Sequence, residues 1–572
     1  MAEIVLAALN AKYIHSAFGL RYLMANLGPL QSRAVLAEFD INQRPLEIAE
    51  ALLARAPKIV GLGIYIWNVA LATELVALLK RIRPQLIIIL GGPEISHETE
   101  AQPITHLADY VITGEADLKF AEVCAQLLAN QPPAGKIMAA PLPDFSQLAL
   151  PYEFYTEDDI AHRLVYVEAS RGCPFQCEFC LSSLDETVRQ APLPELFRHL
   201  QRLLDRGAKQ LKFVDRTFNL NLQTSQAVLS FLLERHRPGL FFHFEVVPDH
   251  LPKPLREIIR QFPPGALQFE AGVQTFSPEV AERIKRRQDY PALEENLRFL
   301  REETHVHIHA DLIVGLPGES LESLAAGFDR LILLRPQEIQ VGLLKRLRGA
   351  PIARHDAEWE MLYNPHPPYD ILQNNLIDFA TMQRLRRLAR YWDLVANSGN
   401  FLESTPLIWQ PAGCGSILPP RADSLAPRGT SGERAGERGS HCRVVPPLPL
   451  GVSGGQPPRD DVGSVNAHPM AGASPFWSFL SFSDWLFARV RRTDSISLLR
   501  LMEQMFCFLT EERKLEPIQV AETMRRDYQR GGRKEAPGFL ASFLTSARPV
   551  MVTAQSDLPK RQARHLGGHD IL

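Results

Sequence analysis

The feature that most constrains this chain is a repeated alternation of short apolar runs with amphipathic helical stretches. Apolar runs stand at residues 3–9, 34–39, 59–64, 86–90 and 110–113, and helical spacing fills 19–27, 69–83 and 117–130. Val-, Ile- and Leu-rich strands set between helices must be buried on both faces, which is the habit of a parallel sheet. Residues 1–135 therefore read as an α/β domain, doubly wound and flavodoxin-like. Pro132, Pro133, Pro141, Pro143 and Pro151 crowd the next stretch of chain, so 136–160 reads as a linker. The alternation then restarts, with strands at 165–170, 210–215, 241–246, 267–273, 307–314 and 338–343. Six strand–helix units predict a partial (β/α)6 TIM-type barrel over 161–355, with its chemistry at the C-terminal ends of the strands.

Beyond the barrel the texture changes. Residues 376–392 carry apolar positions at helical spacing, and helical pattern returns at Phe476. Between Pro411 and Ser474 there is no aromatic residue, and Gly, Pro, Ser and Arg dominate. Such a stretch buries too little apolar surface to offset its ordering entropy. The expectation is a helical C-terminal domain over 356–408 and 475–550, a disordered insert at 409–474, and a loose tail at 551–572. A net charge of −3 supplies no field for nucleic acid. No apolar run reaches the ~18 residues of a membrane helix, and the N-terminus lacks the basic start of a secretory signal. Seven cysteines in 572 residues are not a disulfide framework. Together these point to a cytoplasmic protein, with no membrane partner.

Three of the cysteines carry the chemistry. Cys173, Cys177 and Cys180 come after the first barrel strand in the stretch Glu168-Ala-Ser-Arg-Gly-Cys-Pro-Phe-Gln-Cys-Glu-Phe-Cys. Thiolates are the soft ligands that iron–sulfur clusters take. Three ligands on a four-iron cluster leave one iron open to a small molecule. Structural zinc sites take four ligands, commonly in paired knuckles, and no second pair lies nearby. Cys124 falls on an apolar helix face and reads as a small core residue.

This motif, with Phe179 before the last cysteine, resembles that of the radical S-adenosylmethionine (radical SAM) superfamily. The resemblance implies a 4Fe–4S cluster on the three cysteines, whose open iron binds S-adenosylmethionine. Reductive cleavage then yields a 5′-deoxyadenosyl radical. It further implies Phe179 near the adenine, Asp215 in the loop that holds the methionine part, and an external electron donor such as flavodoxin or ferredoxin. Glu245, Gln274 and the turn Gly315-Leu-Pro-Gly318 stand at other strand ends and join the cofactor-binding candidates. Taken singly, each also suits a polar barrel filler or a plain turn. Arg287 could meet the cofactor carboxylate, though a solvated helix-end cation explains it as well.

The domain order, flavodoxin-like then barrel, resembles the cobalamin-binding branch of that superfamily over about residues 1–355. Gly61, Gly63, Gly91 and Gly92 stand at strand ends, where glycine lets a large flat cofactor approach the backbone. Cobalamin domains with a lower axial histidine read Asp-x-His-x-x-Gly. Here Tyr13 replaces the Asp and Gly19 lies one residue too far from His15. The resemblance implies methyl transfer to an unactivated carbon. The alternatives are radical rearrangement or oxidation without methyl transfer, or a first domain that no longer binds cofactor.

Overall fold

The computed structural model describes residues 2–410, 474–533, 535–544 and 558–566. The insert expected at 409–474 falls almost wholly outside the described residues, as do 551–557 and 567–572 of the expected tail. The chain divides into two units, Met1–Leu402 with Thr553–Leu572, and Glu403–Val552.

The first unit begins with six strands: β1 (Ile4–Asn10), β2 (Ala34–Asp40), β3 (Ile59–Gly63), β4 (Ile87–Gly91), β5 (Tyr110–Thr113) and β6 (Ile137–Ala139). They form one sheet in the order β2-β1-β3-β4-β5-β6, every pair parallel. Apolar side chains cover both faces in two separate cores. β1 is buried over all seven residues, which is why its sequence is a continuous apolar run. The order reverses between β1 and β3, so the carboxyl ends of the neighbouring strands form a crevice.

β6 lies inside the stretch expected to be a linker. It is three residues long and mostly exposed, so no apolar run announces it; backbone pairing to β5 makes it a strand. The rest of that stretch is a packed strap, with Phe145, Leu148, Tyr152 and Tyr155 buried. It ends in a short helix, Glu157–His162, whose capping box joins Thr156 and Asp159.

A second six-stranded parallel sheet comes next in the chain. Its strands Val165–Val167, Gln210–Phe213, Phe241–Val246, Leu267–Gln274, His307–Val314 and Glu338–Leu343 pair strictly in chain order. The first and last do not pair, so the barrel is open along one side. Tyr155 and Tyr152 compensate the first strand's bare edge. The Tyr155 hydroxyl accepts from the Tyr166 N–H at 2.9 Å and donates to the Tyr166 carbonyl at 2.8 Å. Tyr152 does the same at Glu168, at 3.1 and 3.2 Å. Edge groups that would be unpaired are thereby satisfied by side chains.

The flavodoxin-like domain spans the open side. On the first-strand side, His15 bridges to Leu164, and Arg21 pairs with Asp159 at 2.7 Å. On the last-strand side, Glu94 accepts from the Tyr369 hydroxyl at 2.6 Å and pairs with Arg348 at 3.0 Å.

Two expected boundaries move. Residues 356–402 belong with the barrel rather than with the later helices. Asn397, past the helix Phe379–Val395, clasps both backbone groups of Ile339, and Trp392 packs edge-on to Phe328. The described end of the expected loose tail is docked as well. Helix Lys560–His565 places Arg561 2.9 Å from the buried Glu338 carboxylate and sets the His565 ring edge-on to His307. Its basic residues serve a buried charge instead of solvent.

The second unit is helical among its described residues, with helices Pro475–Val490, Leu498–Cys507 and Pro517–Arg530. Phe482, Trp485 and Phe508 form its aromatic centre. Buried Asp527 accepts from the Glu403 and Ser404 N–H groups and the Ser404 hydroxyl. No helix among the described residues is long and apolar enough to cross a membrane.

Candidate functional site

The thiol loop leaves the first barrel strand through a two-residue pairing of Ser170–Arg171 with Arg189–Gln190. Gly172 makes the turn at φ +89°, where an added Cβ would lie 2.3 Å from the Thr187 carbonyl oxygen, so only glycine fits. The Cys173 N–H donates to Asp185 and the Glu178 N–H to Ile284. The Glu178 carboxylate, 1% exposed, is pinned by His355 at 2.8 Å and Arg354 at 2.7 Å. A third anchor is Asp215, whose carboxylate accepts from the Ala169 N–H and from the Ser170 hydroxyl at 2.6 Å. Burial raises the Asp215 carboxyl to about 6 against the pull of those donors.

Cys173, Cys177 and Cys180 are free thiols that face a cavity of about 240 Å3. Phe179, Glu245 and Gln274 line the same cavity, as do Arg286 and Arg287. Burial pushes the Cys173 and Cys177 thiols up, while the Arg286 guanidinium, 3.5 Å from the Cys177 sulfur, works against that. Among the described residues no three His, Cys, Asp or Glu side chains are grouped to hold a metal ion. Three thiols facing one cavity match the ligand type of an iron–sulfur cluster.

Three of the cofactor-binding candidates do not line this cavity. Asp215 lies behind the thiol loop and does not line the cavity. Gly315 and Gly318 do not line it either. Their turn is covered by Ile371 at one glycine and by Arg283 and Trp359 at the other, each within 3.0 Å of where a Cβ would stand. Both have positive φ, so a tight turn explains them.

Within the barrel lumen the strand-end residues Glu245 and Gln274 were expected; the polar residues deeper along the strands were not. Tyr166, Lys212, His243, Glu245, Glu270, His307, His309, Asp311 and Glu338 share one parity of the strands, and Glu245, Glu270 and Asp311 face the cavity. Arg216 pairs with Glu245 at 3.0 Å, His243 with Glu270 at 2.9 Å, and His307 with Glu338 at 2.8 Å. Burial opposes the Glu270 charge, yet His243 and Lys212 hold that carboxyl well below its ordinary range. A parallel barrel normally fills its interior with branched apolar side chains. The overlooked signal is period-2 polarity, plain in His-Ile-His-Ala-Asp at 307–311.

Glu319, beside the glycine turn, offers a pH test. Burial raises its carboxyl to about 7, although the Thr275 hydroxyl donates to it at 2.6 Å. Between 4.5, its ordinary value, and about 7 the folded chain keeps a proton that the unfolded chain has lost. The stabilisation is complete below the lower value and is lost as pH rises through the upper one. Glu319→Gln cannot ionise, so its thermal midpoint should fall less between about pH 5 and pH 8 than that of the parent. Equal falls would show that Glu319 does not titrate in this window.

A second cavity, of about 280 Å3, opens at the carboxyl ends of β3, β4 and β5. Gly61, Gly63, Gly91 and Gly92 all line it, with Gly114 beside them. A Cβ on Gly61 would strike the Phe120 ring at 2.8 Å, and one on Gly92 the Ile64 carbonyl oxygen at 2.5 Å. His15 is not among the walls of this glycine slot; its Nδ1 lies 2.6 Å from the Tyr166 hydroxyl.

Arg171 connects the glycine slot to the thiol loop along the chain. It lines the glycine slot two residues before Cys173, pairing with Glu115, Asp117 and Glu168 at 2.9–3.0 Å. Its guanidinium lies 4.3 Å from the Tyr22 ring centroid and 4.9 Å from that of Phe145.

Comparison with known proteins agrees with this geometry. Residues 4–124 match the B12 binding domain, 167–331 the radical SAM superfamily, and 357–410 a family described as a protein of unknown function, DUF4080. The chain is 24% identical to an uncharacterized methyltransferase of Pyrococcus horikoshii over 316 residues, which cover 49% of this chain and 65% of the relative. It is 21% identical to the cobalamin-dependent radical SAM methyltransferase TokK of Streptomyces tokunonensis, over 56% of this chain and 52% of that one. The chain thus spans between half and two thirds of the length of these relatives. The structure of TsrM from Kitasatospora setae, a radical S-adenosylmethionine methyltransferase with cobalamin and a [4Fe–4S] cluster bound, shares the fold. The TM-score is 0.51 at 17% identity, over 63% of this chain and 78% of TsrM. The radical SAM domain implies a 4Fe–4S cluster and S-adenosylmethionine, and the B12 binding domain implies cobalamin. The chain thus carries a B12 binding domain at residues 4–124 followed by a radical SAM domain at 167–331.

Proposed function

We propose that this chain is a methyltransferase that acts on an unactivated carbon of its substrate. The observation that carries the reading is Arg171, which lines the glycine slot and stands two residues before Cys173, whose thiol faces the other cavity. In this reading the bound cluster supplies the electron that cleaves S-adenosylmethionine, and the bound cobalamin supplies the methyl group.

Cys173, Cys177 and Cys180 hold the cluster, with Arg286 beside Cys177 offsetting the negative charge of its sulfur. Phe179, Glu245 and Gln274 line the space left for S-adenosylmethionine. The Arg216–Glu245 pair orients the Glu245 carboxylate there. Asp215 is a positioning residue that ties the thiol loop to the second strand. Gly61, Gly63, Gly91 and Gly92 cradle an arm of cobalamin. The protein needs a reductant, for which a flavodoxin or ferredoxin is our assignment, and a reducing compartment such as the cytoplasm suits its cluster.

The test is anaerobic purification and reconstitution, then mass spectrometry for methylated product with candidate substrates, alongside 5′-deoxyadenosine and S-adenosylhomocysteine. Deoxyadenosine without S-adenosylhomocysteine would replace methyl transfer with radical rearrangement or oxidation. Gly91→Val is the matched control. Gly91 has ordinary φ, and its Cβ would sit 3.6 Å from the Ile112 carbonyl oxygen, so the valine enters the slot without backbone strain. We expect cobalamin to bind about 10-fold more weakly, a loss of about 1.4 kcal/mol. Unchanged binding would place cobalamin outside the slot.

A further inference from the structure

An open groove of about 830 Å3 runs alongside the thiol loop. Pro174, Phe175 and Gln176, which separate Cys173 from Cys177, form one wall. The opposite wall is the turn after the helix Pro278–Arg283, carrying Lys285, Arg286 and Arg287. Pro174, Gln176, Lys285 and Arg287 are exposed. The groove shares Phe175, Arg286 and Arg287 with the thiol cavity, so this is where the loop between the first two thiols reaches the surface.

The charge here is unlike that of the whole chain. Three cations line the groove against one carboxylate, Glu282, whereas the chain as a whole carries −3. Arg354, 52% exposed, adds a further cation nearby; Glu178, which it pairs with, is 1% exposed. Glu186, bonded to Gln176, and Asp289 are the other neighbouring acids. Lys285 lies 3.6 Å from Glu178, and Arg287 forms no ion pair with any described residue. Lys285 is held at φ +54°, a conformation that glycine adopts more cheaply, so turn geometry alone does not select a lysine there.

We propose that this groove receives a small acidic electron-carrier protein. The inference rests on the reading of the three thiols as cluster ligands and adds the surface through which that cluster is reduced. Electron tunnelling falls steeply with distance, so a carrier must seat where the ligand loop is exposed. A cationic rim attracts an anionic carrier and orients its acidic face toward the loop. One electron leaves the carrier and enters the cluster; no atom is exchanged.

The experiment uses the full chain with its cluster reconstituted, mixed by stopped flow with a reduced bacterial flavodoxin and followed by loss of cluster absorbance. We expect a second-order rate that falls as salt is raised. Lys285→Glu, which reverses a rim charge outside the thiol cavity, should lower that rate about 10-fold or more at low salt and weaken its salt dependence. Iron per chain and the rate of reduction by photoreduced deazariboflavin, a small uncharged reductant, should stay at parental values. A flavodoxin rate independent of both salt and this charge would overturn the docking site. Equal slowing with both reductants would also overturn it, because the cluster itself would then be perturbed. Failure of any cluster to assemble on the parent chain would instead overturn the reading of the thiols.

Discussion

Replacing Cys177 with Ala abolishes cluster binding and the reductive cleavage of S-adenosylmethionine while leaving the chain folded. The thiol is 6% exposed and lies against Arg286. Losing it removes one of three ligands, and the two that remain cannot hold three irons of a cluster. Loss of an outer-shell partner costs about 10–100-fold in metal affinity, so loss of a ligand costs more than that. The fold survives because the loop keeps its other anchors: Gly172, Glu178 with His355, and Asp215 with Ser170. Iron and sulfide per chain after reconstitution measure the first effect, and the thermal midpoint of the metal-free chain measures the second. Near-parental iron in the variant would refute the assignment of Cys177 as a ligand. Cys124 is the contrasting case. It is fully buried, burial pushes its thiol up to about 12, and its replacement by Ala should leave iron content unchanged.

Arg171→Met should destabilise the metal-free chain by about 3–5 kcal/mol, the usual consequence of removing one partner from a buried ion pair. The Arg171 side chain is 14% exposed and faces Glu115, Asp117 and Glu168 together. Glu168 is already raised to about 7 by burial, and Arg171 is the main group opposing that rise. Without the guanidinium these carboxyls must take up protons or leave the cavity wall. Chemical denaturation at neutral pH measures the loss. The control is the triple variant Arg171→Met, Asp117→Asn, Glu168→Gln, which leaves Glu115 with its second partner, Arg189. Removing the carboxylates with the cation should recover much of the stability, since replacing a whole buried ion pair by neutral groups is often nearly neutral. If Arg171→Met alone costs less than about 1 kcal/mol, the network is solvated and does not couple the glycine slot to the thiol loop.

How much of this was readable in advance depends on the kind of signal. The strands Tyr110–Thr113, Phe241–Val246, His307–Val314 and Glu338–Leu343 were legible to the residue, because buried parallel strands write long apolar or alternating runs. β6 was not legible. With three residues and two exposed, its strand character comes from hydrogen bonds to β5 rather than from its side chains. Among the candidates, the glycines at 61, 63, 91 and 92 do line one slot, because β3 and β4 are neighbours and end at the same level. The family resemblance implied Asp215 in the loop that holds the methionine part of the cofactor. Its carboxylate instead turns back to the Ala169 N–H, and strand-end position alone does not fix that direction.

By itself the sequence determined the parts that depend on local pattern: two runs of strand–helix alternation, a three-thiol loop after the first barrel strand, and glycines where strands end. Only the tertiary structure decided what closes the barrel's open side, and that Arg171, beside the thiol loop in the chain, lines the glycine slot of the first domain. The same holds for Lys560–His565, which seals the far end through Arg561 and Glu338. These contacts join residues 54 to more than 220 positions apart in the chain. Local pattern reports what a segment buries, whereas the partner across such a distance is chosen by how the sheets pack. The three thiols of the loop are thus legible as ligands from their spacing, and the groove of Lys285 and Arg287 beside them is visible only once the chain has folded.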